Sequence, residues 1–172
     1  MTARQFLFGS LTIGLLLGFA GGAQARPTCD IGGIKSAAEL QATLQKRAIE
    51  VVTLAATGGA KDLKRLEVLV SPSANFDLGA GDLGRGLGTG VAGARALAVA
   101  MNANLYIVSG WDYMDMAVEA PCAEQKSGVE FLNNRVKSRS FVTFTFVNGR
   151  VTGVQGWEGS YGTGPIPLPK GN

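Results

Sequence analysis

Asn148-Gly149 stands between two strand-like runs, residues 141–147 and 150–157. Both turn residues tolerate positive φ, and the flanks are rich in Val, Thr and Phe, which favours a two-residue type I′ hairpin. Such a turn dictates register. Val147 then faces Arg150, Thr145 faces Thr152, and Thr143 faces Val154. The opposite face carries Val142, Phe144, Phe146, Val151, Gln155 and Trp157, and this apolar face is expected to look into a core.

Upstream, the period changes from strand to helix. Ser36-Ala37-Ala38-Glu39 is a capping box, and Leu40, Leu44, Ala48, Val51, Val52 and Ala55 follow at helical spacing. Gly58-Gly59 ends this long helix. A shorter helix is expected from about Asp62 to Val70, stopped by Ser71-Pro72. Residues 74–78 read as a short strand, followed by a glycine-dense loop from Gly79 to Gly90. Thr89 can cap a third helix over residues 91–101. Residues 105–108 and 128–132 read as strands, and 111–116 continues extended.

Residues 1–25 have the pattern of a secretory signal peptide: Arg4 as the one charge, an apolar stretch from Phe6 to Ala20, and Ala23-Gln24-Ala25 as the cleavage site. The stretch is short for a membrane span. Residues 26–35 form a lead-in, 36–161 a single domain, and 162–172 a Gly/Pro-rich flexible tail. An exported chain whose two cysteines, Cys29 and Cys122, lie 93 residues apart most simply forms one disulfide. The expected location is the bacterial periplasm or the exterior, with no stable membrane insertion after cleavage.

Composition removes several functions. The 172 residues contain no His, which excludes a Ser-His-Asp triad, a Cys-His dyad and His-ligated zinc or haem. With both cysteines paired, only scattered carboxylates remain, and no metal site is expected. Sixteen Lys and Arg against 13 Asp and Glu, without a dense basic run, give no nucleic-acid footprint. Gly79-Ala80-Gly81-Asp82-Leu83-Gly84 is literally GxGxxG, but a dinucleotide site requires a helix to open within those glycines. The loop instead runs on to Gly90, as a surface loop or a lid over a cavity mouth. No cofactor is expected.

Helices before a meandering sheet imply α+β packing. The order resembles the ketosteroid-isomerase-like superfamily, also called nuclear-transport-factor-like or polyketide-cyclase-like. Three segments carry the resemblance. The first is Asp62-Leu63-Lys64-Arg65-Leu66-Glu67-Val68-Leu69-Val70-Ser71-Pro72-Ser73-Ala74-Asn75-Phe76, similar to the family's short helix and first strand. The others are Gly93-Ala94-Arg95-Ala96-Leu97-Ala98, similar to the start of its third helix, and Phe144-Thr145-Phe146-Val147-Asn148-Gly149-Arg150-Val151, similar to its final hairpin. The resemblance implies a cone: a curved antiparallel sheet wrapped around N-terminal helices, a cystatin-like α+β barrel with a cavity inside. The family includes isomerases, cyclases, dehydratases, binders and oligomerisation modules. The ketosteroid isomerases' catalytic Tyr lies in the first helix, and here that helix holds neither Tyr nor Asp.

The expected cavity lining is Phe76, Tyr106, Trp111, Phe144 and Gln155, with a small hydrophobic ligand as the occupant. Asp77, Asp112, Tyr106 and Tyr113 are the candidates for catalysis, because a carboxylate in an apolar pocket can exchange protons near neutrality and a Tyr hydroxyl can stabilise an enolate. The first reading is therefore an exported module that binds a small ligand or a partner. The alternatives are an isomerase-, cyclase- or dehydratase-type enzyme using an Asp/Tyr proton-transfer site, and a structural module forming homodimers in the cell envelope. Cleavage after Ala25 predicts that the exported protein begins at Arg26. Intact-mass measurement checks this, and a retained leader contradicts it.

Overall fold

The structure is a computed structural model and describes residues 29–80, 83–108 and 116–161. The leader, the tail and residues 109–115 lie outside the described residues, and with them Trp111, Asp112 and Tyr113.

Helix α1 (Ala37–Thr57) starts at the capping Ser36, whose hydroxyl accepts the Glu39 amide at 3.4 Å. It ends at Gly58, left-handed at φ 66°, whose amide bonds to the Leu54 carbonyl. The stripe from Leu40 to Ala55 is buried as its spacing requires. Helix α2 (Ala60–Leu69) begins two residues before the sequence expectation, because the Asp62 carboxylate accepts the Gly59 amide and caps it. Strand β1 (Val70–Ala80) is longer than expected and contains Pro72. Its register against β6 (Arg150–Ser160) shifts between Val70 and Asn75, and this irregularity accommodates a residue that has no N–H for the ladder.

The expected loop from Gly79 to Gly90 contains a further strand, β2 (Gly86–Thr89), antiparallel to β1. Helix α3 (Gly90–Met101) follows, and its N-cap Thr89 makes no side-chain capping bond. Strands β3 (Leu105–Val108), β4 (Gln125–Asn133), β5 (Ser138–Val147) and β6 then meander back across the sheet. Among the described residues the strand order is β2-β1-β6-β5-β4-β3, a curved sheet of six strands that does not close. This is the expected α+β cone with one correction: β6 pairs with β1 in parallel. The chain enters the sheet at β1, crosses its inner face as α3, and returns by the β3–β6 meander, so its last strand runs alongside β1 in the same direction.

The hairpin turn forms as expected, with Asn148 at φ 52° and Gly149 at φ 72°. Val147 pairs with Arg150 and Phe146 with Val151, but then the register slips: Thr145 faces Gly153 and Thr143 faces Gln155. Thr152 is thus an extra residue, a β-bulge, and its hydroxyl donates to the Thr145 carbonyl at 3.3 Å. The core consists of Phe76, Phe144, Phe146, Val129, Val142, Val151 and Val154 from the sheet, packed against Leu40, Leu44, Val51, Leu66 and Leu97 of the helices.

The N-terminal segment is tied down at the hairpin tip. Cys29 and Cys122 are bonded, with Cα atoms 5.8 Å apart. The Asn148 amide donates to the Cys122 carbonyl, and Arg47 bridges the Asp30 carboxylate and the Gly149 carbonyl. A Cβ on Gly149 would run into the Arg47 guanidinium and the Asp30 carboxylate. Gly149→Ala is therefore expected to cost about 2 kcal/mol, the positive φ supplying about half. Gly159→Ala, where a Cβ meets nothing, should stay within about 0.5 kcal/mol of the parent. Equal denaturation midpoints for the two variants would contradict this account of the turn.

Candidate binding surface on the outer sheet face

The bulge determines where the expected site residues lie. Beyond Thr152 the alternation of β6 is inverted relative to a straight reading of the hairpin. Val154 enters the core, while Gln155 and Trp157 face outward, a correction to their expected inward placement. Phe76 and Phe144 are fully buried, and Phe144 packs against Phe131 and Phe146 at ring distances of 6.4 and 6.3 Å. Tyr106 pairs with the inward-facing Phe131, so it sits on the inner face, at the β3 edge and 54% exposed.

Asp77 and Tyr106 do not meet. They lie on opposite faces, and β1 and β3 are four strand spacings apart in the sheet, about 19 Å. Asp77 instead pairs in register with Gln155. These two, with Asn75, Lys126, Thr143, Thr145 and Gly153, line an open cleft of about 420 Å³. Among the described residues Asp77 has no hydrogen-bond or ion-pair partner.

Beside this polar cleft lies an aromatic one of about 340 Å³, lined by Glu130, Arg139, Phe141, Trp157, Glu158 and Gly159. Phe141 and Trp157 are register partners, each 47% exposed. The Trp157 indole covers Gly79 of β1: a Cβ there would sit 2.7 Å from the ring. Glu130 and Arg139 pair at 3.7 Å at the edge of this patch. Sequence reasoning placed Trp157 in the core and did not nominate Phe141. Gly153, an isolated glycine in a strand pattern, was the available signal of a bulge.

A third cleft, about 380 Å³, lies at the hairpin tip among Asp30, Arg47, Arg65 and Arg150. Its arginines are engaged with neighbouring groups, although the buried Arg150 Nε has no hydrogen-bond partner among the described residues. Arg47 pairs with Asp30, and Arg150 donates to the Glu67 and Val70 carbonyls at the end of α2. The hydrogen bond from Arg65 to Glu50 raises the Arg65 guanidinium above its usual range against a smaller lowering by burial. Among the described residues no cluster of three or more His, Cys, Asp or Glu side chains could hold a metal ion, and no helix is long and apolar enough to cross a membrane.

No protein-family model and no curated protein matches the chain. Among solved structures it is similar to a candidate isomerase from Rhodopseudomonas palustris, at 12% identity and a TM-score of 0.40, covering 69% of this chain and 90% of that one. It is also similar to a phenazine biosynthesis-related protein from Pseudomonas aeruginosa, at 12% identity and a TM-score of 0.37, covering 74% of this chain and 82% of that one.

The close seating of Trp157 on Gly79 gives a direct test. Gly79→Ala should lift the indole off the sheet and shift Trp157 emission, isolated by difference from Trp157→Phe, to longer wavelength. Unchanged emission would contradict the packing described.

Proposed function

We propose that this chain is an exported binding module whose working surface is the outer face of its sheet, and that it binds a partner there rather than transforming a substrate. The observation that carries this reading is the exposed pair Phe141 and Trp157, set in register beside the polar pair Asp77 and Gln155. Aromatic side chains with polar neighbours are the usual anchors of protein interfaces. The clefts here are open, whereas small-molecule sites enclose most of their ligand, so the surface suits a macromolecule better than a small ligand. The disulfide fits an oxidising compartment and supports export. The described candidates for proton transfer, Asp77 and Tyr106, lie too far apart to share a substrate, which weighs against the enzyme alternative.

An anilinonaphthalenesulfonate probe should bind the native protein saturably, at the exposed rings. The variant Phe141→Ser/Trp157→Ser, checked for an unchanged far-UV circular dichroism spectrum, should bind it about tenfold more weakly, a loss of about 1.4 kcal/mol. Undiminished probe binding would overturn the outer-face reading and move attention to the inner face beside Tyr106.

A further inference from the structure

Resting on that outer-face reading, we infer that the partner is a glycan: an extended, uncharged ribbon of β-linked hexopyranose rings that lies on the sheet along its strands. Two rows of side chains, set next to each other by the register, point to it. One row carries Phe141 and Trp157, paired across β5 and β6 and each 47% exposed. The next carries Thr143, Gln155 and Asp77 across β5, β6 and β1. Two residues along a strand separate the rows, about 7 Å. A sugar ring seated on the aromatic row therefore carries the following part of the same chain over the polar row.

Each row answers one part of a sugar. A pyranose chair presents C–H bonds on its faces and hydroxyls around its rim. The C–H faces pack on aromatic rings, whose own faces carry negative charge density. Trp157 is backed by Gly79 of β1, and the part of the indole left exposed is open to a ligand. The rim hydroxyls need partners that both donate and accept. Asp77 offers two acceptor oxygens, and Gln155, its register partner, offers an acceptor and two donor hydrogens. Among the described residues neither side chain has a hydrogen-bond partner, so a ligand would displace only water from them. The carboxylate is also open on the side of the loop before β2, because Gly84 stands there: a Cβ on it would sit 3.4 Å from Asp77 Oδ1.

Charge and shape favour a neutral chain over a protein. The charged groups flanking the two rows are matched within the molecule, Glu130 with Arg139 at 3.7 Å and Lys126 with Glu124 at 3.6 Å. A protein interface centres on a broad apolar core inside a polar rim. Here the exposed apolar surface is a single row of two rings, bordered along the strands by hydroxyl, amide and carboxylate groups. The two clefts, about 340 and 420 Å³, lie side by side and are open, which suits a polymer that crosses the surface and continues beyond it. A flat β-linked ribbon can touch both rows at once, whereas a coiled α-linked chain leaves one of them. The oxidising compartment that the disulfide fits is also where cell-wall and secreted glycans are met.

Isothermal titration calorimetry on the chain from Arg26 onward should detect cellohexaose or chitohexaose, two flat β-linked hexamers, with a Kd below about 1 mM. Binding of either supports the inference, and the tighter one shows which ring substituent the polar row reads. Maltohexaose, α-linked and coiled, should bind at least about tenfold more weakly. Trp157→Ala, Phe141→Ala and Asp77→Asn should each weaken the preferred hexamer about tenfold with the far-UV spectrum unchanged. Phe141→Ala leaves the indole on Gly79 and so covers the case in which Trp157→Ala does not fold. A roughly tenfold rise in salt should change the Kd less than about twofold, as an uncharged ligand requires. If neither β-linked hexamer binds, the inference is overturned. The outer-face reading then still stands if Phe141→Ser/Trp157→Ser loses the anilinonaphthalenesulfonate probe, and falls too if it does not. Equal binding of maltohexaose, or binding untouched by all these substitutions, overturns the inference as well. Hexalysine that binds in place of the sugars and is released by salt would make the partner a basic protein segment instead.

Discussion

One unpaired residue, Thr152, sets what every later position of β6 does. Before it, Val151 points inward with its partner Phe146; after it, Val154 points inward with Phe144. Without the extra residue, Gly153, Gln155 and Trp157 would face α1 and α3, and Val154 would face water. Burying a Val side chain contributes about 1.5–3 kcal/mol, whereas burying an unpaired Gln amide costs about 1–3 kcal/mol, so the two registers differ by several kcal/mol in the same direction. The bulge is therefore what lets a regular type I′ turn coexist with this spacing of apolar residues. The same displacement creates the outer face, because it brings Gln155 beside Asp77 and Trp157 over Gly79.

The turn that precedes the bulge is held from outside the sheet. Arg47 on α1 reaches the Gly149 carbonyl and the Asp30 carboxylate, the Cys122 carbonyl accepts the Asn148 amide, and the disulfide joins Cys29 to the same loop. The Gln125 amide bonds with the Ala117 and Ala120 backbone and shapes that loop from the base of β4. Arg150 then ties the first residue of β6 to the end of α2. Four separate stretches of chain thus converge on a two-residue turn. Register errors in a hairpin are opposed wherever one face is buried, and here the turn itself is also clamped.

How much of this was legible depended on whether a signal was local. The Ser36 cap of α1, its apolar stripe, the Asn-Gly turn and the disulfide are short-range or pairwise features, and each was readable; of the expected capping box only the Ser36 half forms. Strand β2 was not, because Gly86-Leu87-Gly88-Thr89 pairs through its backbone and has little β-propensity of its own. The full length of β1 was hidden by Pro72, which local propensity reads as a break but which sits where the register to β6 is already irregular. The parallel pairing of β1 with β6 joins residues about eighty positions apart, and no local pattern encodes it. For the site, Gln155 and Trp157 lie on the opposite face from the one expected. Asp77 and Gln155 do come together, on the outside, because a period-2 reading cannot detect one inserted residue.

The outer face also follows from layer packing. The described helices pack on the inner side of the sheet, and no second layer from the described chain covers the other. A sheet face left to water is ordinarily polar, and Asn75, Lys126, Thr143, Thr145 and Gln155 follow that rule. Phe141 and Trp157 do not, and each leaves apolar surface exposed at about 25 cal/mol per Å². Their arrangement also carries a backbone cost, since Gly79 lies inside a strand, where glycine is about 0.5–1 kcal/mol worse than alanine, and a Cβ there would displace the indole. Within a single copy, neither the exposed rings nor that glycine improves the core. Their contribution becomes favourable when the face is covered.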